Sequence, residues 1–154
     1  MNIRRIEKKD LPMIAELVKD NTIETRDDIC FKYSKMCLSD DGEMVCFIVL
    51  RERSLLDFFN GNIPMDENAQ NDKYYEEGDE WRVKEFVESY DGQHYEIIAT
   101  YLKEGVNRME FSNLLITIES NPQIGIFWMI NDPPSGAGFY HFNNVVWIDF
   151  PRID

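Results

Sequence analysis

Between Val87 and Ile97 the chain reads Glu88-Ser89-Tyr90-Asp91-Gly92-Gln93-His94-Tyr95-Glu96, and its reading as the corner where a strand hands over to a helix decides the fold. Upstream, Trp81–Val87 has strand character. Downstream, Ile97, Ile98, Tyr101, Leu102, Val106 and Met109 recur as one apolar stripe, which predicts a helix over His94–Arg108 with Gly105 near its end. Such a corner is an anion-binding place, because free backbone N–H groups and the positive end of the helix dipole point there. A phosphate cradle keeps the corner small and neutral or basic. Here Glu88, Asp91 and Glu96 place three carboxylates around a single glycine, Gly92.

The flanking elements follow from local pattern. Asn2–Glu7 alternates apolar and polar residues and reads as a short strand. Asp10-Leu11-Pro12 then starts a helix, with Asp as N-cap and Pro in the first turn, and Leu11, Ile14, Leu17 and Val18 share one helical face. Thr25-Arg26-Asp27-Asp28 is a second helix start within the ambiguous stretch Asn21–Phe31. Tyr33–Leu38 and Met44–Leu50 are β-prone runs separated by Ser39-Asp40-Asp41-Gly42-Glu43, a hairpin signal. The second run is continuously apolar, as expected of a central strand covered on both faces. Leu114–Ile118 reads as another buried strand, Asn121–Ile130 as a short helix, Asp132–Gly138 as a turn cluster and Phe139–Phe150 as closing strand.

Composition sets outer bounds. At 154 residues, 44% of them hydrophobic, the chain fits one globular domain. It carries 29 acidic and 16 basic side chains, a net charge of −13. That balance argues against nucleic acid and against an anionic membrane, both of which attract Lys and Arg density. No run has the roughly 18 apolar residues of a membrane span. Met1-Asn2-Ile3-Arg4-Arg5 has no apolar signal segment, so a cytoplasmic location is expected. Cys30, Cys37 and Cys46 read as buried free thiols of a reducing compartment. His94 and His141 stand too far apart for a zinc motif, and no metal is expected. Asn60–Asp79 is acidic and poor in large apolar residues. It reads as a long solvated loop, of the length that tends to be functional or disordered.

In this order the pieces resemble the GCN5-related N-acetyltransferase superfamily. Ile3–Pro12 is similar to the family's first strand and helix start, and Ser39–Phe47 to its acidic hairpin and third strand. Glu85-Phe86-Val87 resembles the end of the fourth strand. Leu114–Ile118 with Asn121 resembles the fifth strand and the asparagine after it, and Gly138-Phe139 the Gly-Phe of the closing strands. The resemblance implies an α/β, GNAT-like mixed central sheet flanked by helices, in a single domain over residues 1–154 with an acidic insertion at about 60–79.

It also implies an acetyl-CoA loop of the form Arg/Gln-x-x-Gly-x-Gly/Ala. Counted from Val87, its Arg-Gly-x-Gly-x-Gly stretch falls on Asp91-Gly92-Gln93-His94-Tyr95-Glu96 and keeps only Gly92, with Asp91 in place of the basic residue. Bulk at His94 and Glu96 obstructs close backbone approach. Like charges about 4 Å apart repel by about 4 kcal/mol at an effective dielectric near 20, which is roughly a thousandfold in affinity. The family's tyrosine acid falls on Trp128, whose indole delivers no proton near neutral pH and which reads as core packing. His94 reads as a surface cap.

The resulting expectation is a catalytically degenerate acetyltransferase-like domain without cofactor, acting through a protein partner. By analogy with acetyltransferase-like products of tailed-phage structural clusters, it would serve as a virion or assembly component. The alternative is an active acetyl-CoA-dependent N-acetyltransferase, with Glu85 as base and Val87, Gly92, Gln93 and His94 around the cofactor. A second alternative is an acidic inhibitor or immunity-type protein that binds a basic partner through Asn60–Glu80.

Overall fold

The structure, a computed structural model, describes residues 1–54, 93–120, 124–129 and 145–148. It belongs to the α/β class and divides into two compact units. One comprises Met1–Glu52 with Ile97–Asn121, the other Arg53–Glu96 with Pro122–Asp154.

In the first unit, β1 (Asn2–Arg5) leads through a 3-10 turn at Lys8–Asp10 into α1 (Leu11–Val18). Pro12 stands where the missing N–H costs nothing. Leu11, Ile14 and Ala15 are buried. Asp10 stands at the N-cap position, but its carboxylate makes no cap bond to α1. It accepts the Glu7 N–H at 2.8 Å and both terminal nitrogens of Arg4. Asn21–Thr25 forms a second 3-10 turn, so Thr25 closes a turn where a helix start is expected, and Ile29 bridges to Arg51.

The hairpin forms as the sequence predicts. β2 (Lys35–Leu38) and β3 (Met44–Glu52) pair antiparallel, and β1 pairs antiparallel with β2. Gly42 takes φ +84°, a left-handed conformation that only glycine adopts without strain. Val45–Leu50 are all buried, as a strand covered on both faces requires. Ser34 anchors the far end of the hairpin: its buried hydroxyl accepts the Leu50 N–H at 2.8 Å.

Past residue 93 the sequence reading and the structure part. His94–Leu102 is a strand, β4, where a helix is predicted. The Lys103 N–H donates to the Val45 carbonyl at 2.8 Å, and the hydrogen-bonded order in this unit is β1-β2-β3-β4. Tyr95, Ile97, Ile98, Thr100 and Tyr101 are β-branched or aromatic, the residues a pleated, half-buried surface favours. Ile97 and Ala99, two residues apart, are buried, and Tyr101 stacks on Phe47 with ring centroids 5.6 Å apart.

Arg108–Glu119 is a helix, α2, and it contains the predicted strand Leu114–Ile118. Asn107 is its N-cap, accepting the Met109 N–H at 2.9 Å. Phe111, Leu114, Leu115 and Ile118 fall at helical spacing, and the last three are buried. Ile116 is 49% exposed, which a strand buried on both faces would not allow. Ile116→Lys is therefore expected to change stability by no more than about 0.5 kcal/mol in urea unfolding. A loss several times larger would place residue 116 in the core.

The unit is layered by strand alternation. Met36, Phe47, Val49 and Ala99 pack with α1 in one core cluster. Their neighbours Cys37 and Cys46 face the other side of the sheet, and α2 packs against β2 and β3.

In the second unit β4 begins at His94, β5 spans Gly125–Met129 and β6 spans Val145–Ile148. β5 and β6 are parallel, with Ile126 opposite Val145. The predicted helix Asn121–Ile130 is thus corrected to a strand over its described residues, and β6 falls inside the predicted strand Phe139–Phe150. The acidic stretch Asn60–Asp79, the predicted strand Trp81–Val87 and the turn cluster Asp132–Gly138 lie outside the described residues.

Candidate functional site

Of the residues assigned to a cofactor corner, Glu85, Val87, Glu88, Asp91 and Gly92 lie outside the described residues. Gln93, His94 and Glu96 do not form the start of a helix. The Gln93 carbonyl accepts the Gly125 N–H at 2.9 Å, and the His94 carbonyl accepts the Arg53 N–H at 3.3 Å. These are sheet-like bonds to neighbouring backbone. His94 is 3% exposed, a buried strand residue where a surface cap is expected. Glu96 pairs with Arg53 at 3.4 Å, so its charge is balanced by a cation. No helix dipole begins at these three residues, and the premise of an anion-binding corner there falls. Trp128 belongs to strand β5, inside the stretch Asn121–Ile130 that reads as a helix.

The handover from strand to helix among the described residues occurs later, at Lys103-Glu104-Gly105-Val106-Asn107 between β4 and α2. Gly105 takes φ +84°, and a Cβ there would meet nothing within 4 Å, so backbone conformation alone calls for glycine. The Val106 N–H donates to the Lys103 carbonyl at 3.1 Å and the Glu110 N–H to the Asn107 carbonyl at 3.0 Å. The Asn107 side chain occupies the Met109 N–H. Lys103 pairs with Glu43 at 3.1 Å. Glu104 precedes the glycine, and Glu110 stands in the first helical turn. The corner has the free-amide geometry of a helix start, but its own side chains use part of that geometry and its charges cancel.

Elsewhere in the first unit the perturbed acids belong to ion pairs that brace loops. The Arg4 guanidinium holds the Asp10 carboxyl below the usual carboxylate range, with contacts of 2.8 and 2.9 Å. Arg26 does the same for Asp28 at 2.9 and 3.1 Å, and Arg51 adds a third nitrogen at 3.7 Å. The Asp20 carboxyl is lowered by the Thr22 hydroxyl and N–H, which it accepts at the start of a 3-10 turn. Each carboxylate is satisfied by a structural neighbour, the arrangement of a brace.

All three cysteines are free and buried. Burial pushes each thiol up, Cys46 to about 12, so none is a thiolate nucleophile at neutral pH. Among the described residues no three His, Cys, Asp or Glu side chains converge as metal ligands. No helix among them is long and apolar enough to cross a membrane.

No protein-family model matches the chain, and neither the curated proteins nor the solved structures contain a match to it.

Proposed function

We propose that the chain is a catalytically degenerate acetyltransferase-like domain that acts through contacts with a protein partner. The element order supports the likeness: strand, helix, hairpin, then strand, helix and strand, with the strand-to-helix corner moved from residues 87–97 to Leu102–Arg108. The state of that corner carries the functional reading. Tested against Arg/Gln-x-x-Gly-x-Gly/Ala, the stretch Leu102-Lys103-Glu104-Gly105-Val106-Asn107 keeps the glycine alone. Leu102 replaces the Arg or Gln, and Asn107 replaces the last small residue. The Asn107 carboxamide sits on the Met109 amide that a pyrophosphate would need, while Glu104 and Glu110 offset Lys103 and Arg108. A doubly charged pyrophosphate gains little there.

The charge distribution favours a basic partner. Residues 1–54 carry 10 basic and 11 acidic side chains, whereas residues 55–154 carry 6 and 18. Such an imbalance steers encounters with cations over about 8 Å at physiological salt. An assembly component and an acidic inhibitor share this property.

Calorimetric titration of the full chain with acetyl-CoA tests the degenerate reading. The expected result is no saturable heat up to about 1 mM, a binding free energy weaker than about −4 kcal/mol. Saturation below about 100 μM would overturn it and restore the enzyme reading.

A further inference from the structure

The first unit holds a group of sulfur atoms that the reading above does not use. Cys37 on β2 and Cys46 on β3 are directly opposite in the antiparallel register. They lie 2% and 0% exposed, on the sheet face that turns away from the α1 core. The Cys37 thiol reaches the Met1 thioether sulfur at 3.8 Å. We propose that Cys37, Cys46 and the Met1 thioether form a three-sulfur site for one soft monovalent cation, copper(I).

Donor chemistry selects the ion. Thiolate and thioether sulfur favour copper(I), whereas carboxylate and carbonyl oxygen favour magnesium and calcium. Structural zinc takes four nitrogen or sulfur ligands, and the group described offers three. Spacing agrees. Metal–thiolate bonds of about 2.3 Å in a planar three-coordinate site separate the sulfurs by about 4 Å, close to the 3.8 Å between Cys37 and Met1. Access is also provided for: Met1 is 57% exposed, and its sulfur touches the buried Cys37 thiol.

The step balances without an oxidant. Copper(I) forms two thiolate bonds and one thioether bond, two S–H bonds break, and both protons leave to solvent. Copper stays in the +1 oxidation state, and the occupied site carries one negative charge. Because two thiol protons leave for each ion bound, affinity is expected to rise with pH while both thiols are protonated.

The test is an anaerobic titration of the reduced full chain with copper(I), supplied as its acetonitrile complex, against a chromophoric copper(I) chelator. The expected result is one ion per chain, two protons released and a three-coordinate signature at the copper K-edge. Cys46→Ser should lower affinity at least about a hundredfold, and Cys30→Ser should leave it unchanged. Cys46→Ala serves where the serine variant loses its circular dichroism. The proposal is overturned if the chelator keeps all the copper or the Cys46 variants bind as well as the parent chain. A two-coordinate edge, or a Cys37–Cys46 disulfide formed in place of bound metal, overturns it as well.

Discussion

Replacing Phe47 with alanine is expected to lower the unfolding free energy by about 3–5 kcal/mol. Phe47 is fully buried at the centre of β3, opposite Met36, and its ring stacks on Tyr101 at 17°. The cluster around it includes Leu11 and Ile14 of α1 and Val49 of β3. Strands hydrogen-bonded on both sides cannot collapse into the space the ring leaves, so the cavity persists. The lost aromatic pair accounts for about 0.5–1.5 kcal/mol of the total. Against a typical domain stability of about 5–15 kcal/mol, the loss is severe. Guanidinium unfolding measures it, with an unchanged denaturant slope if the native state stays compact. A loss under about 1 kcal/mol would mean that Phe47 is not the centre of this core.

Asp10→Ala is expected to cost about 2–3 kcal/mol at neutral pH. The Asp10 carboxylate accepts three hydrogen bonds, two from Arg4 and one from the Glu7 N–H. Removing it strands a part-buried guanidinium and a backbone donor at the entrance to α1. Arg4 remains 35% exposed, so water screens the pair and the loss stays below that of a fully buried one. The pH dependence has a definite sign. The Asp10 carboxyl is lowered in the folded state, chiefly by Arg4. Its stabilisation is complete above the unfolded value of about 4 and disappears as pH falls through the folded value. Parent and variant should therefore converge in stability as pH falls below the ordinary carboxylate range and through the lowered folded value. A difference that persists there would assign the effect to packing. Asp20 and Asp28 shift in the same direction, so acid weakens all three braces together.

Local signals carried the first third of the chain. The Asp-Gly turn, the alternation of Asn2–Glu7 and the Asp-Leu-Pro start each act over a few residues, and an element formed at each signal, the strand ending at Arg5. Between residues 94 and 129 tertiary pairing decided. Ile97, Ile98, Tyr101 and Leu102 fit a helical stripe by spacing alone, yet β-prone residues and a place beside β3 make them strand. Leu114–Ile118 contains four apolar residues in five, which looks like a buried strand. The helix is revealed by Asn107 as cap and by Phe111 one turn before Leu114 and Leu115. Those signals sit upstream of the apolar run and are readable in the sequence. The candidate corner moved with the elements, because a strand-to-helix handover has no location until both neighbours are placed. The sulfur group depends on a cross-strand register that spacing in sequence does not display.

The two neighbours of β3 join it over very different chain lengths. β2 is tethered by a turn of about five residues, whereas the part of β4 in the same unit arrives only after Glu52 has been followed by more than 40 residues. Loop-closure entropy makes the second pairing about 2 kcal/mol more costly than the first, and hairpins close within about 1–10 μs. At ribosomal speeds of about 5–20 residues per second, the intervening chain takes about 2–8 s to emerge. During each round of synthesis Val45–Leu50 thus waits with one edge open, an apolar strand whose protection depends on chain not yet made.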